Sequence, residues 1–458
     1  MLRAICFFNS DSRERCPIAE KRSKSLHFRV KGLFVYRYQT VVNKSFKRGA
    51  SIFTTEPATR TAMRVGSIAN AARVLAIVFL LPAVTIAAPL TAIGAPLTLI
   101  DALTVEFTSA ARASSFSTAY AVGATDVTAI SVSSTPTSAV LASVADVGPC
   151  EGLFVFESRR TSLPRGVSRT RLAVTCAETS SFLVYAVDAD GSGAKRIVEI
   201  INEARIENPR DLVVVNDTLA FIASAAHSRV VAVRLDPNEK DLPVIGESFK
   251  LSGVDTLTLG PLDRETLRVM SGAARRVTTL KYTPAGTLQL VGSTKDSRLE
   301  SASGTCVGVG DGSDRLYTYV ASPKILGGTL SILNSSEFGA PQYLVGVHAG
   351  GAPNADSESE WSPVAHVNLK GATDVSVHGD RAYVAASTLG VIALVDISDP
   401  SRPTVTDTLR SPALAGVNKV SASPDGKFLV SLVNGTSAVI ASADDAVVAA
   451  ASKRRRFR

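Results

Sequence analysis

The 458-residue chain has one tryptophan, three methionines, five histidines and five cysteines, and aromatic residues make up 6% of it. So few cysteines exclude a small scaffold held together by disulfides. The histidines show no close His-x-His or His-x₃-His spacing. There is no His-Glu-x-x-His, no Gly-x-Ser-x-Gly, no Walker A string and no complete Gly-x-Gly-x-x-Gly. No motif therefore names a reaction. Apolar residues are abundant, at 45% against 20% charged, which supplies a large core and excludes a disordered or collagenous chain.

Charge is distributed unevenly. The formal net charge is +8, but residues 1–62 hold thirteen Lys/Arg and four Asp/Glu, and the tail adds Lys453, Arg454, Arg455, Arg456 and Arg458. With Arg64 and Arg73 also set aside, the stretch 74–452 carries −8. A surface that tracks phosphates needs its cations on the fold that docks, so nucleic acid is excluded as a partner.

Between Arg73 and Asp101 no residue is charged. The run opens Val74-Leu75-Ala76-Ile77-Val78-Phe79-Leu80-Leu81 and passes through Pro82, Pro89 and Pro96. Read from Met63, residues 63–92 have the layout of a secretory signal, with Arg64 and Arg73 as its basic region and small residues after the apolar run. Read from Met1, residues 74–100 exceed the roughly 20 apolar residues that span a bilayer and would act as an uncleaved anchor. The prolines favour the cleaved signal over a straight spanning helix. Four acids and a long apolar run argue against a mitochondrial presequence. Either way the remainder is expected outside the cytosol, extracellular or at the cell surface, with 1–62 a dispensable basic extension and 446–458 a solvated basic tail. Sequons at Asn216, Asn334 and Asn434 each fall at a turn between apolar runs, where a glycan fits. Beyond the apolar segment only Cys150, Cys176 and Cys306 remain, which allows one disulfide, with Cys150–Cys176 the closer pair, or three buried thiols.

From about residue 105 the chain reads as short β-branched runs broken by Gly, Asp, Asn, Pro and Ser. Gly123-Ala124-Thr125-Asp126-Val127-Thr128 nearly repeats as Gly371-Ala372-Thr373-Asp374-Val375-Ser376. A longer match pairs Asp211-Leu212-Val213-Val214-Val215, Ala220-Phe221-Ile222-Ala223, Val230-Val231-Ala232-Val233 and Asp236-Pro237 with the segments from Asp374 to Asp399-Pro400. Anchored at positions 126, 169, 211, 255, 305, 374 and 418, the pattern gives seven units of three or four strands. One small twisted sheet cannot bury both faces, so such units stack around an axis. The expected fold is all-β, a seven-bladed β-propeller over 105–445 with an insertion near 345–367.

Asp380-Arg381-Ala382-Tyr383-Val384-Ala385 followed by Gly390 to Pro400 resembles an LVIVD-type propeller repeat, and Ser423-Pro424-Asp425-Gly426-Lys427 is similar to the strand turn of YVTN and lactonase-like propellers. The resemblance covers about residues 370–440. The single Trp361 and the absence of a recurring Trp-Asp set the chain apart from WD40 repeats. Such repeats specify a blade and host enzymes, lectins and scaffolds alike.

Two segments are candidate sites. Asp188-Ala189-Asp190-Gly191-Ser192, with Glu199 twelve positions into the loop, has calcium-loop spacing, so Asp188, Asp190, Ser192 and Glu199 could hold Ca²⁺. Lys195 at the normally apolar eighth position and strand-like flanks favour a plain hairpin turn. The insertion carries His348, Asp356, Glu358, Glu360, Trp361 and His366, which could ligate metal or form a solvated acidic loop. The leading expectation is a secreted or cell-surface, monomeric binding protein that recognises a protein, glycan or small molecule through its loop face. The alternative is a lactonase- or isomerase-like enzyme with a central-channel site, in which a divalent cation could take part. The acids Asp126, Asp211, Asp255 and Asp374 recur across blades, as a structural bond would; a catalytic group would be unique to one blade.

Overall fold

The computed structural model describes residues 90–107, 118–133, 135–158, 163, 165–235, 242–260, 265–309, 315–335, 340–348 and 369–443. Among them the strands form seven antiparallel sheets, six of four strands and one of five. The innermost strands of blades 1 to 7 are Ala102–Phe107, Cys150–Glu157, Pro209–Val215, Thr256–Leu259, Gly304–Val309, Ala372–His378 and Val417–Ala422. Each packs against the next and the seventh packs against the first, so the ring closes. The described helices are single 3₁₀ turns, and none is long and apolar enough to cross a membrane. The apolar stretch 74–89 and residues 1–62 lie outside the described residues.

Burial follows position within a blade. The third strand of blade 2, Ser181–Asp188, is buried at seven consecutive residues, because both of its faces meet neighbouring blades. The outermost strand of that blade, Ala194–Ile200, alternates between half-buried and exposed, as an edge strand facing water should. Seven apolar clusters fill the seven blade interfaces. The match between Asp211–Pro237 and Asp374–Pro400 is one of true equivalents: Phe221 and Tyr383 are both fully buried on second strands. Their inner and second strands are joined at Asn216-Asp217, both with left-handed φ near +55°, and at Gly379-Asp380, where Gly379 has φ +57°.

Three sequence expectations differ from the structure. Asp126 opens the third strand of blade 1 (Asp126–Ser131), and position 169 lies on the second strand of blade 2 (Val167–Cys176). The string at 123–126 thus joins the second strand of blade 1 to its third, whereas 371–374 leads into the inner strand of blade 6. The sheet also begins before residue 105: Thr91–Ala92 and Leu97–Thr98, the first within the expected signal region 63–92, pair with Ser437–Ser442 and complete blade 7. The seventh repeat thus supplies three strands, and the fourth comes from the other end of the propeller.

Hydrogen bonds between blades reinforce this ring. Leu257 N donates to Asp211 Oδ2 at 2.7 Å and Val420 N to Asp374 Oδ2 at 3.0 Å, each from the blade that follows the acid. Ala422 N donates to Ser376 Oγ, Phe107 N to Ser421 Oγ, and Ser303 Oγ to Thr373 O. The recurring acids Asp211 and Asp374 are therefore ties between blades. Asp255 accepts instead from Gly272 N within its own blade. A disulfide joins Cys150 and Cys176, directly opposed on the first two strands of blade 2.

Removing the Asp374 carboxylate as Asp374→Ala leaves the Val420 amide without its acceptor and is expected to cost about 2 kcal/mol in denaturant unfolding. Replacing both Cys150 and Cys176 with serine releases a loop of 26 residues. That change is expected to lower stability by about 3 kcal/mol, a loss that reductant should reproduce in the wild type.

Candidate functional site

The inner strands do not meet at the axis. They leave a central cavity of about 900 Å³ lined by side chains from blades 1 to 7. Strand registers place Thr104, Gly152, Asp211, Thr256, Gly304, Asp374 and Lys419 at equivalent positions around it. Two residues further along, on the same face of each strand, come Glu106, Phe154, Val213, Thr258, Cys306, Ser376 and Ser421. The two glycines have a steric reason. A Cβ on Gly152 would lie 3.1 Å from Asp211 Cα, and one on Gly304 would lie 2.5 Å from Asp374 Cα. Each acid therefore sits against a preceding blade that has given up its side chain.

The cavity wall carries Glu106, Glu151, Glu157, Asp211, Asp217 and Asp374 with Arg210 and Lys419. Of these, Glu106, Asp211, Asp374 and Lys419 stand on the channel-facing positions of the inner strands of blades 1, 3, 6 and 7. Glu106 is half-buried: water in the channel reaches it, while protein encloses it on its other sides. Burial first, then the charges of Asp211 and Asp374, push its carboxyl up to about 8, against partial relief from Lys419. Asp211 is raised to about 6, chiefly by burial and opposed by the Leu257 and Leu212 amides and Lys419. Burial also raises Asp374, against Lys419 and the Val420 and Val375 amides. The Cys306 thiol is pushed up to about 11 by burial, so it is neither a thiolate nor a ready nucleophile at neutral pH. Glu106 and Lys419 make no hydrogen bond or close ion pair among the described residues.

The expected calcium loop folds as a hairpin turn. Ser192 N and Oγ donate to Asp190 Oδ1 at 3.0 and 2.7 Å, which holds the Asp190 carboxyl below its ordinary value. Glu199 is paired with Arg196, which also grips Asp146. Among the described residues no group of three His, Cys, Asp or Glu is placed to hold a metal ion. Asp356, Glu358, Glu360, Trp361 and His366 lie outside the described residues, and His348 ends the outer strand of blade 5. Asn216 and Asn434 sit on exposed left-handed turns, Asn216 at the cavity wall; Asn434 Nδ2 donates to Ala415 O. Asn334 closes a strand beside Ser335, which is buried and bonded to Thr318 Oγ1.

Residues 371–409 match the LVIVD repeat. No curated protein matches the chain. The LVIVD repeat spans the inner strand of blade 6 through nearly all of its outer strand, Thr404–Arg410. It brings Asp374 to the channel and, through Val420, ties blade 6 to blade 7. Sequence reading identified Asp211 and Asp374 as recurrent acids but passed over Glu106 and Lys419. Their signal was available: each is unique to its blade, once the inner strands are aligned.

The folded state binds a proton at Glu106 that the unfolded chain gives up near its ordinary value, 4.5. That stability is complete below about pH 4.5 and is lost as pH rises through 8. Glu106→Gln is accordingly expected to match the wild type at pH 4.5 and to exceed it at pH 9 by on the order of 2 kcal/mol. Thermal unfolding across pH 4.5–9 checks this, and a constant difference between the two proteins would contradict it.

Proposed function

We propose that this LVIVD-repeat propeller is a secreted or cell-surface binding protein whose ligand, a small molecule, seats in the central channel instead of on the loops. Glu106 and Lys419 carry the reading. Both are unique to their blades, both lack protein partners among the described residues, and both line a cavity of about 900 Å³. That volume lies within the range of small-molecule pockets, which are mostly apolar with a few convergent polar groups. The wall is more polar than most such pockets, and sets Phe154, Val213 and Leu259 beside its charged groups. The uncharged run 74–89 and the Cys150–Cys176 disulfide support a location in an oxidising compartment.

A channel enzyme is the second reading. Glu106 and Asp211, raised to about 8 and about 6, share one cavity. Two carboxyls with separated proton affinities are what acid–base catalysis requires.

Native mass spectrometry of the full chain, before and after exposure to a mixture of small metabolites, tests the binding reading. The wild type is expected to retain a ligand that Thr258→Trp, whose indole would intrude on the apolar side of the channel, retains much less. Equal retention by both proteins, or turnover of the retained compound by the wild type, would overturn it.

A further inference from the structure

The wall of the channel is unbalanced in charge and in polarity. Glu106, Glu151, Glu157, Asp211, Asp217 and Asp374 line it against Arg210, which pairs with Glu151, and Lys419; Asp211 and Asp374 are held in place by backbone amides of the blades that follow them. Among the described residues Glu106 has no such tie, which leaves its carboxyl able to respond to a guest. Lys419, on the blade between those of Asp374 and Glu106, offsets one acid. Glu106, Asp211 and Asp374 stand on blades 1, 3 and 6, and no trio of His, Cys, Asp or Glu among the described residues is placed to hold a bare metal ion. The missing positive charge must then arrive on something larger. On blades 2 to 4 the wall offers Phe154, Val213 and Leu259, an apolar bed for such a body.

We propose that the channel takes a small organic cation, an ammonium or guanidinium head on an apolar body, and that seating the head among Glu106, Asp211 and Asp374 displaces a proton from Glu106. This rests on the channel-binding reading above. In the free protein the Glu106 proton does part of the neutralising that the guest would do. The proton is on Glu106 at neutral pH because the carboxyl is raised to about 8. When a cation binds, the O–H bond of the carboxyl breaks, the proton passes to water and buffer, and the carboxylate faces the new charge.

The groups around Glu106 leave this assignment intact. Tyr120, opposite it on the second strand of blade 1, is raised above its ordinary value by burial and stays neutral. On the inner strand of blade 2, Glu151 is engaged by Arg210 at 2.6 Å and Glu157 lies at the far end. Blade 7 contributes Lys419, and Asp211, Asp374 and Cys306 look in from blades 3, 6 and 5. Asp211, raised to about 6, gives up its proton well below Glu106.

Isothermal titration of the full chain with phenethylguanidinium tests the proposal, because the guanidinium keeps its charge throughout the pH range. Repeating the titration at pH 7 in buffers of different ionisation enthalpy is expected to show release of close to one proton per cation bound. Affinity is expected to rise about tenfold between pH 7 and pH 9, as the competing proton leaves. In Glu106→Gln both the proton release and the rise with pH should vanish, and the neutral 3-phenylpropanol should bind weakly and release no proton. Binding without proton release, an unchanged pH profile in Glu106→Gln, equal binding of the neutral compound, or no binding of the cation would each overturn the proposal. Cation binding that Thr258→Trp leaves intact would overturn the channel reading itself, which separates the two failures.

Discussion

The fold depends on one pairing. Thr91–Ala92 and Leu97–Thr98 add to Ser437–Ser442 and finish blade 7 with chain from the other end of the propeller. Leu90, in the cluster between blades 6 and 7, and Ile93 and Leu99, in the cluster between blades 7 and 1, seal the apolar faces on both sides of that blade. Leu90 N also donates to Asp407 Oδ2 of blade 6. Every sheet in the ring is sandwiched by two others, and an open ring would expose two apolar faces at once. The closing segment therefore stabilises far more than the few backbone bonds it makes.

Closure in turn creates the channel. Seven twisted sheets set around an axis keep their inner edges apart, and the edge strands there must satisfy backbone groups without a further strand to pair with. Asp211 and Asp374 meet that need by accepting amides of the following blades, and Gly152 and Gly304 make room for them. A structural solution thus places two carboxylates in a confined, partly dry space. Glu106 then titrates under their influence, and Lys419 only partly compensates. The same acids that tie the blades together set the field in which a guest would bind.

Much of this architecture can be read along the chain. The Asp211–Pro237 and Asp374–Pro400 match, the turn at Ser423–Lys427 and the recurrence of short apolar runs all arise from local rules of strand and turn chemistry, so they identify a propeller. The turn at Ser423–Lys427 keeps its expected form, with Asp425 accepting from Ser423 Oγ and Lys427 N. Local rules also explain the misplacement at Asp126 and near Arg169. A glycine-led turn into a strand occurs at several points in a blade, and nothing local says which strand faces the axis.

The sequence by itself determined the sheets, their number and the amide-binding role open to the recurrent acids, because side-chain alternation and turn residues act over a few positions. Only the tertiary structure decided which strands line the axis, which chain end closes the ring, and that Glu106 and Lys419, more than 300 residues apart, share one cavity. Proximity across a closed ring is set by the packing of all seven blades, and no short-range pattern records it.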